Sequence, residues 1–321
     1  MKCNGSVAEF LASDHPTAFS FEILPPIRGK NIDGTFRNID RLMEFDPAYV
    51  NITTHRTQVA YRDMGNGSFR QYTSRRRPGT VAVAAVIRER YSVATVPHII
   101  CGSYSRREIE DQLIDLSYLG INDILVLRGD KARETSMFVP GEEGHEHAAS
   151  LAAQVREFND GMMVDGTQTE PLAAPFTFGV AGYPEKHEEA MNLQTDMEYL
   201  KEKVRNGASY IVTQMFFDNS RYFDFVARCR ENGITVPIVP GIKPLTSVNQ
   251  KVLLPRTFHI VLPHELATEF AACEDNDSVK SLGIEWAVSQ ARELKEAGVP
   301  SIHFYAMNSI SSVAEIASQV Y

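Results

Sequence analysis

The sequence predicts an α/β fold, a single (β/α)8 TIM barrel with parallel strands. Three observations carry that expectation. Along 321 residues, eight short apolar segments alternate with stretches of helical periodicity, the order that βα units produce. Asp123-Ile124-Leu125-Val126-Leu127 is a continuous apolar run rather than an alternating one, as a strand covered on both faces requires. It then meets Arg128-Gly129-Asp130, polar groups at the carboxyl end where α/β folds present their chemistry, and the same grammar recurs around the chain. Open doubly wound sheets share the alternation, but eight units in about 300 residues favour the closed barrel.

The elements follow in order. Residues 1–16 read as a short helix or an arm over a single domain of 1–321. Phe19–Leu24 is rich in aromatic and branched residues and is stopped by Pro25-Pro26, a strand signal with Glu22 near its end. Ile32, Phe36, Ile39, Leu42 and Met43 form a helical stripe, and Tyr49–Thr53 is the second strand. Residues 54–78 read as a long connection of little periodicity within the barrel, carrying Arg56, Arg62, Arg70, Arg75, Arg76 and Arg77. Long connections tend to be functional or mobile; this one would either help hold an anion or form a solvated basic loop.

Helix resumes over Thr80–Arg90, and Ala94–Ile100 is the third strand, carrying Pro97 and His98. Ser105 with Glu108 spells a capping box for a helix that ends at Gly120. The run already described is the fourth strand, followed by a polar loop over 131–144 and a helix over 145–158. Pro175–Ala181 is the fifth strand and enters the turn Gly182-Tyr183-Pro184-Glu185-Lys186-His187. A charged helix over 188–206, a sixth strand over Tyr210–Gln214 and a helix over 220–232 come next. The seventh strand is Val236–Gly241; helices follow over 246–255 and 263–298, with a break at 274–277. Ser301–Tyr305 is the eighth strand, and the remainder is a closing helix.

Bulk composition narrows the function classes. A formal net charge of -9 argues against a general nucleic-acid binder. The cysteines, Cys3, Cys101, Cys229 and Cys273, are far apart with no zinc spacing, so reduced thiols in the cytoplasm are expected. The first residues lack the apolar core of a signal peptide, and no run approaches the roughly 20 apolar residues of a membrane span. No glycine-rich Rossmann fingerprint follows the first strand, and no P-loop occurs anywhere.

A closed barrel would bring Glu22, Thr53, His98, Asp130, Tyr183, His187, Gln214 and Asn308 to one face. Two carboxyls in one pocket can be pushed apart in pKa, so Glu22 and Asp130 are the acid–base candidates. A glutamate before Pro-Pro can equally cap a turn, and His98 can equally be a satisfied buried histidine. His98, His187 and a carboxylate are the conceivable metal ligands, but no H-x-H or H-E-x-x-H pair supports them, and no metal is expected. His145-Glu146-His147 opens the helix over 145–158, where alternate residues diverge.

Six motifs then occur in register: Phe19–Pro26, Pro97-His98, Leu127–Asp130, Ala181–His187, Thr213–Asp218 and Pro240–Pro244. Together, over roughly residues 18 to 310, they resemble the bacterial methylenetetrahydrofolate reductases, in the form that consists of the catalytic barrel. The resemblance implies FAD as cofactor and NADH or NADPH as electron donor. It implies ping-pong reduction of 5,10-methylenetetrahydrofolate to 5-methyltetrahydrofolate, supplying methyl groups for methionine synthesis. Glu22 would be the general acid that protonates the departing ring nitrogen, in a dry setting made by its sequence neighbours Phe19, Phe21, Ile23 and Pro25. Asp130 would lie near flavin and pterin, tuning the flavin potential and stabilising an iminium cation. FAD would be held by Thr53, His98, Arg128, Gly129, Asp130, Ala181, Tyr183, His187, Asp196 and Lys203, and the substrate by Glu22, Asp130, Gln214 and Gln250. On its helix alone, Lys203 reads as a solvated surface lysine.

Two positions depart from the family pattern: Leu254 stands where relatives often stack a phenylalanine on the nicotinamide, and Ser309 where they carry an arginine for the folate tail. Lys243 or an arginine of 56–77 would then take the tail. A cytoplasmic homo-oligomer acting on a small molecule, with no nucleic acid or membrane partner, is expected. The alternatives are a flavin-independent reductase of the same substrate and a non-catalytic barrel that binds folate or flavin.

Overall fold

The computed structural model describes residues 3, 5–131, 135, 137–307 and 309–321. In chain order the elements are α1 (Val7–Ala12), β1 (Ala18–Ile23), α2 (Asp33–Met43), β2 (Tyr49–Ile52), β3 (Gln58–Asp63), β4 (Phe69–Ser74), α3 (Thr80–Tyr91), β5 (Ala94–Ile100), α4 (Arg106–Tyr118), β6 (Asp123–Leu127), α5 (Ala148–Asn159), β7 (Thr177–Gly182), α6 (Leu193–Arg205), β8 (Tyr210–Thr213), α7 (Asn219–Glu231), β9 (Ile238–Val239), β10 (Gly241–Ile242), α8 (Gln250–Phe258), α9 (His264–Ala272), α10 (Asn276–Glu296), β11 (Ser301–Phe304) and α11 (Ile310–Val320). The main sheet runs β10-β11-β1-β2-β5-β6-β7-β8-β9, and every pair in it is parallel.

The expected seventh strand is split at Pro240, and that split closes the ring. β9 pairs with β8, while β10 pairs with β11. Proline has no N–H to donate to a ladder. Its carbonyl instead accepts from the His303 amide at 2.9 Å, and the next amide, Gly241, donates to Thr213 Oγ1 at 3.0 Å. β5 behaves alike: Ala94–Pro97 pair with β2, and His98–Ile100 pair with β6. Eight strand positions therefore form a closed parallel barrel, as the alternation predicts.

The period of two along each strand separates two cores. Phe19, Phe21 and Ile23 of β1 join Val50, Ile52, Ile99, Ile124 and Val126 in the layer between sheet and helices. Their neighbours in sequence turn into the lumen. Its lower half is apolar, with Ala18, Tyr49, Val96, Leu125, Tyr210, Val212 and Val239 packed on Val7, Phe10 and Leu11 of α1. Of the two expectations, a short helix or an arm, the N-terminal segment takes the helix, packed as a plug. A Ser6–Glu9 capping box starts it, and the Val7 amide donates to Asp123 Oδ1 at 2.8 Å. With the amino end sealed, polar lumen residues above this layer open only towards the carboxyl ends of the strands.

Several local expectations change. Residues 58–74 form an antiparallel hairpin, β3–β4, in place of a connection without periodicity. Residues 61–72 are exposed throughout, so no apolar alternation marks the strands. The signal that was present is the Gly65-Asn66-Gly67 turn, both of whose glycines have positive φ. α5 starts at Ala148 with His147 as N-cap, and His145 lies outside the helix with Nε2 2.5 Å from Gln154 Oε1. α6 starts at Leu193 behind an Asn192 cap, which leaves His187, Glu188 and Glu189 on a loop. The Ser105–Glu108 capping box forms as predicted, and Gly120 follows α4 with φ +65°.

Candidate active site

Glu22 is the penultimate residue of β1 and points inward, and it is 6% exposed. Burial pushes its carboxyl up to about 8; the Lys243 ammonium opposes that shift and the Asp130 carboxylate adds to it. The dry setting is not the one expected from sequence. Phe19, Phe21 and Ile23 face the helices, because strand neighbours point to opposite sides. The lumen itself strips water from Glu22.

His98 Nε2 lies 3.6 Å from Glu22 Oε2, too far for a hydrogen bond. Burial drives the His98 imidazole down to about 3, helped by His303 and His55. Asn51 Nδ2 lies 3.2 Å from the same Nε2 and donates to it, which puts the ring proton on Nδ1. The contact is therefore between a neutral imidazole and a carboxyl that stays protonated near pH 7, not an ion pair. Asn51 was not a candidate from sequence, although the alternation Tyr49, Asn51, Thr53 places it on the lumen face. His303 and Tyr305 were missed in the same way. His303 Nδ1 lies 3.1 Å from Ser20 Oγ, and the Tyr305 hydroxyl donates to the Thr213 carbonyl at 2.6 Å.

The end of β6 supplies Arg128, Gly129 and Asp130. Gly129 has φ +83°, and a Cβ there would come within 3.4 Å of the Ile100 side chain. Asp130 is exposed on the rim. Arg56 arches over it, donating Nη1 to the Asp130 carbonyl at 3.4 Å and Nε to Ser103 Oγ at 3.0 Å. The Arg128 side chain is 14% exposed, its guanidinium rests 4.9 Å over the Phe138 ring, and its buried Nε has no partner. Two loop carboxylates cover it: Glu189 bonds Nη1, and Glu188 Oε1 stands 3.5 Å from Nη2. Glu188 Oε2 also accepts from Lys131 Nζ at 3.3 Å and lies 2.9 Å from His259 Nε2.

The β7 side carries the remaining predicted cofactor residues. Lys203 is not a solvated lysine. It reaches back from α6 to donate Nζ to the Ala181 carbonyl at 2.6 Å and stands 5.9 Å from the Tyr183 ring. Burial lowers its ammonium to about 8, against the pull of Asp196. Asp196, seven residues earlier on the same face of α6, accepts from the His187 amide at 3.0 Å. Burial raises the Asp196 carboxyl and lowers the His187 imidazole to about 4, the latter helped by Arg128. Tyr183 meets His187 edge to face at 4.6 Å. Tyr183, Asp196 and Lys203 line one cavity with Ala181 and Arg228.

Thr53 is buried beneath His55, with Oγ1 3.4 Å from its Nε2. Gln214 sits at the end of β8, its Oε1 accepting from the Met215 amide at 2.9 Å. Gln250 spends its Oε1 on the amides of Thr246 and Ser247, at 2.6 and 2.9 Å, so only its Nε2 is left for a substrate. Leu254 is buried in a cluster with Met215, Phe217 and Phe270. Ser309 is buried and donates to the Ala306 carbonyl at 2.9 Å. Asn308 lies outside the described residues. Among the described residues no three His, Cys, Asp or Glu side chains gather as metal ligands. Among them, too, no helix is long and apolar enough to cross a membrane.

Fold and site together define a parallel (β/α)8 barrel with a buried, protonated carboxyl at the carboxyl ends of its strands. A ring of cations and exposed acids surrounds that mouth. The family model for methylenetetrahydrofolate reductase matches residues 8–321, and the chain belongs to that family. It is 30% identical over 290 residues to 5,10-methylenetetrahydrofolate reductase of Pectobacterium carotovorum, covering 90% of this chain and 85% of that protein. It is also 30% identical over 303 residues to methylenetetrahydrofolate reductase (NADH) 1 of Arabidopsis thaliana, covering 91% of this chain but 46% of the plant protein. The chain thus spans about half the length of its plant relatives and most of its bacterial ones. A solved Clostridium thermocellum protein, described as binding two copies of 5-methyl-5,6,7,8-tetrahydrofolic acid, shares the fold with a TM-score of 0.56 at 14% identity over 97% of both chains.

Proposed function

We propose that this protein reduces 5,10-methylenetetrahydrofolate to 5-methyltetrahydrofolate with NADH or NADPH, using FAD. The observation that carries the reading is Glu22, a carboxyl that burial keeps protonated near neutral pH at the mouth of the lumen. Opening the methylene bridge needs a proton on the departing ring nitrogen, and a carboxylic acid with pKa near the working pH is suited to give it. Neutral His98 beside it adds no charge that would strip that proton early. Once the bridge has opened, Glu22 is anionic, and it and Asp130 stabilise the iminium cation.

The residues fit a dinucleotide cofactor. Arg128 has an unpartnered buried Nε, and Lys203 is a second inward-reaching cation, so a pyrophosphate has two donors. Asp196 offers an acceptor for sugar hydroxyls and Tyr183 an aromatic surface. Flavin, when bound, would carry two electrons from the nicotinamide to the folate. Glu188 and Glu189 hold the Arg128 fork that a phosphate would need. The double variant Glu188→Gln/Glu189→Gln is therefore expected to bind FAD several-fold more tightly, measured by fluorescence quenching at low salt, with the advantage shrinking as salt rises.

Anaerobic spectroscopy with FAD tests the proposal. NADH or NADPH should bleach the flavin band, and methylenetetrahydrofolate should restore it. Full turnover by protein free of flavin would favour the flavin-independent reaction, and flavin or folate binding without turnover would favour a binding role.

A further inference from the structure

The β3–β4 hairpin takes no part in the site described above, yet its surface is built for contact. Every residue from Tyr61 to Tyr72 is exposed, so both faces meet solvent. A two-stranded hairpin is marginally stable on its own in water. The register sets Arg62 directly opposite Arg70, with Tyr72 on the same face opposite Ala60. Like charges directly opposed weaken a ladder. The one acid of the hairpin, Asp63, pairs with Phe69 on the other face and spends Oδ1 on the Gly65 amide at 2.8 Å. That second face presents Tyr61, 65% exposed, diagonal to Phe69, 67% exposed. One face carries the two arginines, with the Arg62 guanidinium 5.7 Å from the Tyr72 ring of the same hairpin; the other is aromatic, and both are exposed.

The charge balance says what kind of surface would cover it. Six arginines and one acid fall between residues 54 and 78, in a chain whose net charge is -9. The rest of the molecule is therefore strongly acidic. It would repel a polyanion drawn to the hairpin, but it is complementary to the hairpin of another copy. The outer face of α4 has the matching pattern. Asp111, Ile114, Asp115, Tyr118 and Leu119 are exposed, Tyr118 at 91%, and the spacing of three and four puts acids and apolar groups on one stripe. Neither Asp111 nor Asp115 has an ion-pair partner among the described residues. Lengths agree as well. Six strand residues and thirteen helical ones each span about 20 Å.

We propose that the β3–β4 hairpin of one copy docks on the outer face of α4 of a second copy, Arg62 and Arg70 meeting Asp111 and Asp115 while aromatic and aliphatic groups pack beside them. Each copy carries both surfaces, so a two-fold pairing makes the contact twice and closes as a dimer.

Sedimentation velocity over a concentration series, at low and high salt, tests it. The wild-type chain should dimerise and dissociate as salt rises. Arg62→Glu/Arg70→Glu and, separately, Asp111→Arg/Asp115→Arg should each raise the dimer dissociation constant by about tenfold or more. The chain carrying all four substitutions should dimerise again. Thermal melts followed by circular dichroism check that every variant is folded. A wild-type monomer at all concentrations would overturn the proposal. So would a dimer indifferent to the hairpin substitutions, or a quadruple variant that stays monomeric. Capture of an acidic polymer such as RNA by a monomeric wild type would overturn it too.

Discussion

Replacing Glu22 by Gln should cut the rate of methylenetetrahydrofolate reduction by about 10²–10⁴-fold, the usual worth of a positioned general acid. FAD content and the rate of NADH or NADPH oxidation in the first half-reaction should stay within a few-fold. Stopped-flow measurement of the two half-reactions separately reads this difference. The pH profile is the second signature. Wild-type folate reduction should fall as pH rises through about 8, where Glu22 loses its proton, and that limb should be missing from the residual activity of the variant. Equal loss in both half-reactions would reject the acid role.

The same substitution carries a stability signature of defined sign. The folded carboxyl is raised to about 8 from 4.5, so between those values the native state holds a proton that the unfolded chain releases. Stability is therefore lost as pH rises through that window, and the loss is complete above about 8. Gln has no charge to bury, so Glu22→Gln should melt progressively higher than wild type from about pH 5 to pH 8, with a constant gain beyond. A parallel pair of melting curves against pH would show that Glu22 is not buried as a neutral acid.

Gly241→Ala should be among the most damaging single methyls added to the barrel, with a loss of about 3 kcal/mol. A Cβ at Gly241 would fall 2.4 Å from the Thr213 carbonyl oxygen and 2.6 Å from the Tyr305 ring. The carbonyl belongs to β8 and accepts from the Tyr305 hydroxyl, so neither neighbour can move without opening the seam where β9 passes to β10. The expected result is a lower urea midpoint or an insoluble chain. Gly233→Ala is the control: its Cβ meets nothing within 4 Å, although its φ of +77° adds some strain. A Gly241→Ala protein with wild-type stability would mean that the seam does not close the barrel in this way.

Most of the architecture was legible because parallel strands and amphipathic helices leave separate periodic marks. Asp123–Leu127 reads as a buried strand from its apolar run, and Ser105–Glu108 reads as a helix start from its cap. The hairpin was not legible, because a strand exposed on both faces has no reason to alternate. Glu22, His98, Asp130 and the Tyr183–Lys203 set stood out as candidates through position at strand ends and through motif resemblance. Asn51, His303 and Tyr305 were not, because a polar residue facing a lumen looks like any polar residue until the ring closes.

Local sequence patterns thus carry the βα order, the stops and caps, and the residue types delivered to one end of the barrel. The chemical state of those residues comes from the closed barrel. Phe19, Phe21 and Ile23 surround Glu22 in the chain but not in space, since a strand sends neighbours to opposite faces. Its raised pKa comes from closure of the lumen, which brings Asn51, His98 and Tyr305 together and removes water. Burial and partner geometry depend on residues far apart in sequence, and no local pattern encodes them.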